Sequence, residues 1–472
     1  MSRIVCISNR VSLPDPKTGK IKAGGLAVGV QAALKSAGGG LWFGWDGNIN
    51  NDAHYKNRAL QNTIQDDVSF ITLSLTKKEY ENYYKGMANQ NLWPLMHQLG
   101  NHLEPKPHFY ETYKSVNKIF AHNIVNYLRP DDIIWVHDYH LMPLGKELRQ
   151  LNVRNKIAFY NHIPVPAPAF VQSAVVPSFL QDQYKELLDD LFYYDQIGFQ
   201  SYRDYQNFSD NFVPNALPPK RYQTAAINGS AARFGVFPIS IETQNLQRAI
   251  HENGKKQHKN SATIKSYKTL IGAERLDYTK GLWHRMEGYY KFLKDHKEFR
   301  KHVQYKQVAP LSRADIVQYK NTINKTRKAV RKIKQRFSSR DWDAIDYSEK
   351  NMARERLLVQ MRKADIALVT PLIDGQNLVA KEYLAVQSKL NPGILILSRY
   401  AGAAEELESL GVLCVDPENI EDIANKIYAA LQLSFNERRD IHDKCLSHLK
   451  RYDIANWSDS FLHELQTKTR KG

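Results

Sequence analysis

The sequence predicts an α/β chain built from two Rossmann-like doubly wound parallel sheets. Three observations predict it. The chain has 472 residues, more than one core serves, since single cores stop growing near ~250–300 residues. Short apolar runs alternate with longer amphipathic ones, the pattern of strand–helix units. Most apolar runs end in charged or polar residues, and in such sheets the carboxyl ends of strands carry the ligand.

In the first half, RIVCISN is a strand followed by a polar turn, and AVGVQAALKSAG is a helix that stops in glycines. GLWFGWDG, DDIIWVHDYHL, KIAFYNHIPVP and YDQIGFQS are further strands with polar ends. Arg10, His137, Asp138, His140 and His162 fall at those ends. In the second half KTLIGAERLD, HVQYKQVAP, ADIALVTP and GILILSRYAG repeat the theme, with helices at 283–296 and 352–364 among them. The polar stretch 243–262 is the natural boundary. The reading divides the chain into 1–245, 246–450 and a C-terminal amphipathic stretch, 451–472, that packs back on the first domain.

Composition is that of a globular protein, 42% apolar and 24% charged. No stretch approaches the ~18 apolar residues of a membrane span, and no secretory signal opens the chain. Cys6, Cys414 and Cys445 are few, scattered and without metal-ligand spacing, which fits a reducing, cytoplasmic compartment. The net charge of +17 is concentrated in 320–336. There Ile316, Ile323, Val330, Ile333 and Phe337 recur near helical spacing, which predicts an amphipathic helix with a solvated basic face. No aromatics interleave the cations, so nucleic acid is not an expected partner.

The most informative pair of segments is GAERLDYTKG and VTPLIDGQNLVAKEY. Each ends an apolar run. The first presents Arg275 and Lys280, the second Asp374 and Glu382. Two cations and two carboxylates at the mouths of buried strands suit a phosphorylated sugar donor: cations neutralise a diphosphate, and carboxylates accept from hydroxyls. Arg10 and Arg313 add cations at two more strand ends, which suggests two phosphorylated ligands sharing one crevice. Gly24 and Gly25 precede a helix and fit a phosphate cradle, although the run is neither GxGxxG nor a Walker A loop. The histidines of HDYH lie at a strand end with no third ligand near, and the lone DxD, Asp341 and Asp343, lacks a preceding strand, so no metal is expected. Tyr83, Tyr84, Trp93, Trp42 and Trp45 read as core or as sugar-facing aromatics.

Taken together, SNR, KAGGLAVG, GLWFGWDG, NLWP, IIWVHDYHL, HIPVP, ERLDYTKG, QVAPLSR, TPLIDGQNLVAKEY and LSRYAGAAEEL resemble glycosyltransferase family 20, the family of trehalose-6-phosphate synthases, in its order and over nearly the whole chain. The resemblance implies a GT-B fold, two Rossmann-like domains facing across a cleft, the first holding the acceptor and the second the nucleotide sugar. It implies retaining transfer of glucose from UDP-glucose to glucose 6-phosphate, giving α,α-trehalose 6-phosphate and UDP, without cofactor or metal. It assigns Gly24, Gly25, Arg275, Lys280, Leu378, Val379, Ala380 and Lys381 to the donor side, with Glu382 on the ribose and Asp374 and His162 on the donor sugar. It assigns Arg10, Tyr84 and Arg313 to the acceptor phosphate, Asp138 to acceptor hydroxyls, and Trp93 and Trp45 to the pocket wall. Arg275, Lys280, Asp374, His162 and Asp138 would be catalytic. An assembly of like chains is expected.

Departures from the family pattern concern Ile373 and Gln376, where arginine and methionine are usual, and Val165 and Ala169. They leave open a different donor nucleotide or a cyclitol-like acceptor. A silent sensor of sugar phosphates is a second rival, countered by the retention of every cation and both carboxylates.

Overall fold

The computed structural model describes residues 2–15, 25–51, 58–257, 267–313 and 316–467. It divides into two compact units, Met1–Ile239 with Ile454–Gly472, and Ser240–Asp453.

Among the described residues the first unit holds nine strands: β1 (Ile4–Arg10), β2 (Gly40–Ile49), β3 (Gln61–Gln65), β4 (Val68–Leu75), β5 (Ile133–His137), β6 (Lys156–Tyr160), β7 (Gln196–Phe199), β8 (Thr224–Ala226) and β9 (Arg233–Val236). They lie in the order β3-β4-β2-β1-β5-β6-β7-β9-β8. The central strands are parallel, and β3 and β8 close the two edges antiparallel. A parallel strand buried on both faces reads as a continuous apolar run rather than an alternating one. IVCISN and IIWVH are such runs and are buried throughout. The edge strand QNTIQ is mostly exposed and polar, which blunts edge-to-edge pairing and hides it from hydrophobic patterning.

Helix Ile454–Thr467 belongs to this unit. Its Trp457 and Phe461 rings sit 5.1 Å from Trp135 of β5, and Phe461 lies 5.5 Å from Tyr160 of β6.

Among the described residues the second unit has six strands, β10 (Lys268–Ala273), β11 (Val303–Val308), β12 (Ile345–Ser348), β13 (Ile366–Val369), β14 (Ile394–Ser398) and β15 (Leu413–Val415), all parallel. Their order is β12-β11-β10-β13-β14-β15. In chain order this is 3-2-1-4-5-6, the doubly wound dinucleotide-binding arrangement. The winding reverses between β10 and β13, and ligands bind at such a reversal.

The polar stretch 243–262 is not a linker throughout, because Thr243–Gln257 forms a helix of the second unit. Leu246 and Ile250, one helical turn apart, bury against Ile271 and Tyr383. Two apolar residues four apart outweigh many polar neighbours once the helices Arg354–Lys363 and Leu378–Val386 lie against them. The basic stretch is the helix Val317–Phe337. Ile323, Val330, Ile333 and Phe337 are buried and the cations exposed, with Arg327, Lys332 and Lys334 paired to Glu349, Glu287 and Asp343.

Candidate active site

In the first unit, Arg10 ends β1, Asp138 follows β5 and His162 lies two residues beyond β6. Because β1, β5 and β6 are adjacent and parallel, these three residues share one edge of the sheet. Arg10 lies over Trp45, 5.6 Å from the ring centroid. Gly47, at φ +92°, makes room for it: a Cβ there would come within 2.4 Å of the Arg10 guanidinium.

From Trp45 a chain of rings continues. Tyr84 is 5.3 Å away, His140 stacks on Tyr84 at 6.2 Å, Tyr139 lies tilted against His140 at 4.0 Å, and Trp93 lies 5.9 Å from Tyr139. Tyr84 stands on a π-helix, Tyr80–Leu92, whose last amide bond runs from Trp93 to Ala88. Such wide helices are rare and cluster at functional sites. Arg10, Trp45, Tyr84 and Trp93 are therefore brought together in one aromatic wall.

Asp138 has φ +78°, a left-handed conformation unusual for a non-glycine residue and often found at functional sites. Its carboxylate accepts the His162 amide at 3.3 Å. The His162 ring is fixed within the unit. The Ile239 amide donates to Gln200 Oε1, so the Gln200 amide nitrogen faces His162 Nδ1 at 3.3 Å. That leaves the proton on His162 Nε2, which donates to His137 Nδ1 at 3.2 Å. Burial pushes His162 down to about 3. Burial, and then the neighbouring His162, hold His137 well below its ordinary value. Both rings are neutral at physiological pH, and the ring of His162 has spent both nitrogens on protein partners.

In the second unit, Arg275 and Lys280 follow β10, and Asp374 and Asn377 follow β13, so they flank the point where the winding reverses. Lys280 and Asp374 form a close ion pair, both largely buried. Asn377 donates to Asp374 Oδ2 at 3.1 Å and to Glu274 Oε1 at 2.7 Å. Asn377, at φ +69°, is the N-cap of helix Leu378–Val386. Leu378 and Val379 are its first two residues, whose amides have no acceptor within a helix and which face the positive end of the helix dipole.

Ala380 and Lys381 are fully buried. The Ala380 amide is bonded to the Asn377 carbonyl and the Lys381 ammonium to Glu406 at 2.8 Å. Glu382 is paired with Arg354 at 2.5 Å, a residue the sequence reading passed over. Ile373 and Gln376, the two departures from the family pattern, are buried.

Arg313 has φ +45°. It donates to the Tyr319 hydroxyl at 2.5 Å and lies 3.7 Å from Asp277. Burial would raise the Asp277 carboxyl, but Arg313, Arg275 and Lys280 outweigh it and hold the group below its usual value. Asp277 thus feels the three candidate ligand cations of this unit, Arg275, Lys280 and Arg313. The sequence signals for Glu274 and Asp277 were present, inside ERLD at the end of an apolar run, but a carboxylate beside two cations reads equally well as a local ion pair.

Gly24 lies outside the described residues; Gly25 opens helix Gly25–Ser36. Among the described residues, no three His, Cys, Asp or Glu are grouped to hold a metal. Asp341 and Asp343 are exposed and engaged by Lys301 and Lys334.

A nucleotide-type sheet with paired charges at its reversal points to a sugar-nucleotide enzyme, and comparison with known proteins decides the family. The model of glycosyltransferase family 20 matches residues 4–467. The chain belongs to glycosyltransferase family 20. It is similar to the trehalose-6-phosphate synthase of Klebsiella pneumoniae, with 37% identity over 99% of this chain and 95% of that protein. Among solved structures it resembles a UDP-forming α,α-trehalose-phosphate synthase from Burkholderia xenovorans in complex with glucose-6-phosphate. That match has TM-score 0.89 and 35% identity over 98% of this chain and 100% of the other. It also resembles an E. coli family structure bound with UDP-2-fluoro glucose, with TM-score 0.87 and 32% identity over 99% of this chain and 100% of the other. Membership of family 20 also accounts for the absence of a Walker loop, since a helix N-terminus and side-chain cations can serve a diphosphate instead.

Proposed function

We infer that the chain is a retaining glucosyltransferase that moves glucose from UDP-glucose to glucose 6-phosphate, forming α,α-trehalose 6-phosphate and releasing UDP. The observation that carries the reading is the Lys280–Asp374–Asn377 cluster at the winding reversal of a nucleotide-type sheet, in a chain of this family. The relatives support both substrates: one is in complex with glucose-6-phosphate and another is bound with UDP-2-fluoro glucose.

In this reading Arg275, Lys280 and the first amides of helix Leu378–Val386 hold the donor diphosphate. Glu382 accepts from the ribose hydroxyls and Asp374 from the glucose. Lys280 has an ionic partner before substrate arrives, so neither buried charge is left uncompensated. Arg10, Tyr84 and Arg313 grip the acceptor phosphate, Asp138 accepts from acceptor hydroxyls, and Trp45 and Trp93 shape the wall. His162 reaches the same glucose, its ring held between Gln200 and His137.

Retention proceeds on one face of the glucose. The bond from C1 to the diphosphate oxygen breaks as the acceptor hydroxyl adds to C1 from the same side. The hydroxyl proton passes to the departing diphosphate oxygen, and no protein nucleophile is assigned. The protein positions the partners and stabilises charge growing on the leaving group.

The test is incubation of the purified chain with UDP-glucose and glucose 6-phosphate, with UDP measured and the disaccharide identified by NMR. An α,α-linked phosphorylated product is expected. Binding without UDP release, or turnover only with GDP- or ADP-glucose, overturns the reading. Arg275 and Lys280 take the place of a metal at the diphosphate, so EDTA leaves turnover unchanged; loss of activity with rescue by magnesium contradicts this. The same reading places the protein in the cytoplasm, supported by three buried free cysteines. It also keeps the expectation of an assembly of like chains, which light scattering checks.

A further inference from the structure

We propose that Glu274 is a positioning residue, which holds Lys280 and the start of helix Leu378–Val386 in register through Arg285 and Asn377 while touching no substrate. The proposal rests on the reading that Lys280 and that helix hold the donor diphosphate.

Glu274 is the first residue after β10 and is 7% exposed. One carboxylate oxygen receives Arg285 Nη2 and the other receives Asn377 Nδ2 at 2.7 Å. Arg285, on helix Leu282–Asp295, is wholly buried. Its Nη2 also donates to the Lys280 carbonyl at 3.2 Å, its Nε to Thr370 Oγ1 at 3.0 Å, and its Nη1 to Gln307 Oε1 at 3.2 Å. One buried carboxylate therefore ties together the turn bearing Lys280, the end of β11, and the β13 loop bearing Asp374 and Asn377.

Two glycines make this arrangement possible. A Cβ at Gly272 would lie 2.3 Å from Gln307 Oε1 and 2.9 Å from Arg285 Nη1, so glycine admits the guanidinium beneath β10. Gly281 has φ +63°, and a Cβ there would lie 2.2 Å from the Thr370 carbonyl, so glycine lets the Lys280 turn close against β13.

Stability alone is a poor reason for such a network, because buried ion pairs are often matched or bettered by apolar pairs of similar volume. An apolar pair cannot aim bonds at the Lys280 carbonyl and the Asn377 amide. Those two bonds set the distance between the ammonium of Lys280 and the amides of Leu378 and Val379, and a leaving diphosphate is sensitive to that distance.

The deciding experiment is E274M/R285M, which removes both charges together so that neither is left unpaired. Its thermal melt is expected within a few degrees of the parent. Its kcat is expected to fall about 100-fold, the cost of a misplacement of about 1 Å, with the glucose 6-phosphate KM held within about twofold. A kcat within about threefold of the parent overturns the proposal. N377G cuts the link, together with the Asn377–Asp374 bond, without opening the core, since glycine suits the positive φ. It is expected to lose about tenfold in kcat with an unchanged melt, and full activity overturns the proposal. Should the double variant fail to fold, N377G decides alone. K280A is measured alongside. If K280A is crippled and both other variants are not, the positioning role alone fails; if K280A is itself active, the donor-site reading fails with it.

Discussion

The two units prepare for ligands in opposite ways. In the second, the candidate site is made of ions already paired: Lys280 with Asp374, Glu382 with Arg354, Arg313 with Asp277. In the first, it is made mostly of neutral rings, from Trp45 through Tyr84, His140 and Tyr139 to Trp93, with Arg10 lying over Trp45. Even His137 and His162 carry no charge. The difference teaches that a sheet edge can be built for charge or for shape. A leaving diphosphate needs charge that grows no reorganisation cost; an acceptor sugar needs a wall that excludes water and a few fixed hydrogen bonds.

The comparison breaks first at Lys280. Replacement by alanine is expected to lower kcat by ~10²–10³, as for loss of a preorganised transition-state donor; turnover unchanged within about threefold, in a steady-state assay, removes Lys280 from that role. Next comes Arg313→Ala. Loss of a charge-assisted phosphate contact is expected to raise the glucose 6-phosphate KM by about 10–100-fold, with a smaller effect on kcat. An unaltered KM takes Arg313 out of the acceptor site. Glu382→Gln keeps the shape but removes the carboxylate. It is expected to weaken UDP-glucose by about tenfold, read by calorimetric titration; equal affinity refutes the ribose assignment.

The last effect is on stability rather than turnover, and it belongs mainly to the neutral side of the comparison. An unfolded chain protonates histidine below about 6.5. In the folded chain His162 resists until about 3 and His284, in the second unit, until about 4. The folded state therefore binds fewer protons, and stability present above pH 6.5 is lost as pH falls toward 4. Each group costs about 1.4 kcal/mol per pH unit in that window. Melting temperature should drop between pH 6.5 and 4, and His162→Gln should flatten the slope. A flat profile in the parent would show that His162 is not held neutral.

Several features were legible in sequence because they depend on residues near one another in the chain. Apolar runs such as IIWVH and TLIGA are strands because both faces are buried, and the polar residues after them lie at carboxyl ends as a consequence. The parallel fold class follows from that alternation, and the family from the order of the motifs. Arg275, Lys280 and Asp374 stand out because each ends such a run.

Other features became visible only with the fold. The polar stretch over Thr243–Gln257 is a helix because the helices Arg354–Lys363 and Leu378–Val386 supply partners for Leu246 and Ile250. Arg354 meets Glu382 and Asn377 meets Glu274 across 28 and 103 residues of chain. The proton on His162 is placed by Gln200, 38 residues away.

By itself, then, the sequence determined where strands end and which charges stand there, since local patterning and chain order suffice for both. The tertiary structure alone decided which charges are partners, which rings form a wall, and which nitrogen of His162 holds its proton. Those outcomes depend on contacts between residues far apart in the chain, and no spacing rule reaches across strand crossovers to specify them.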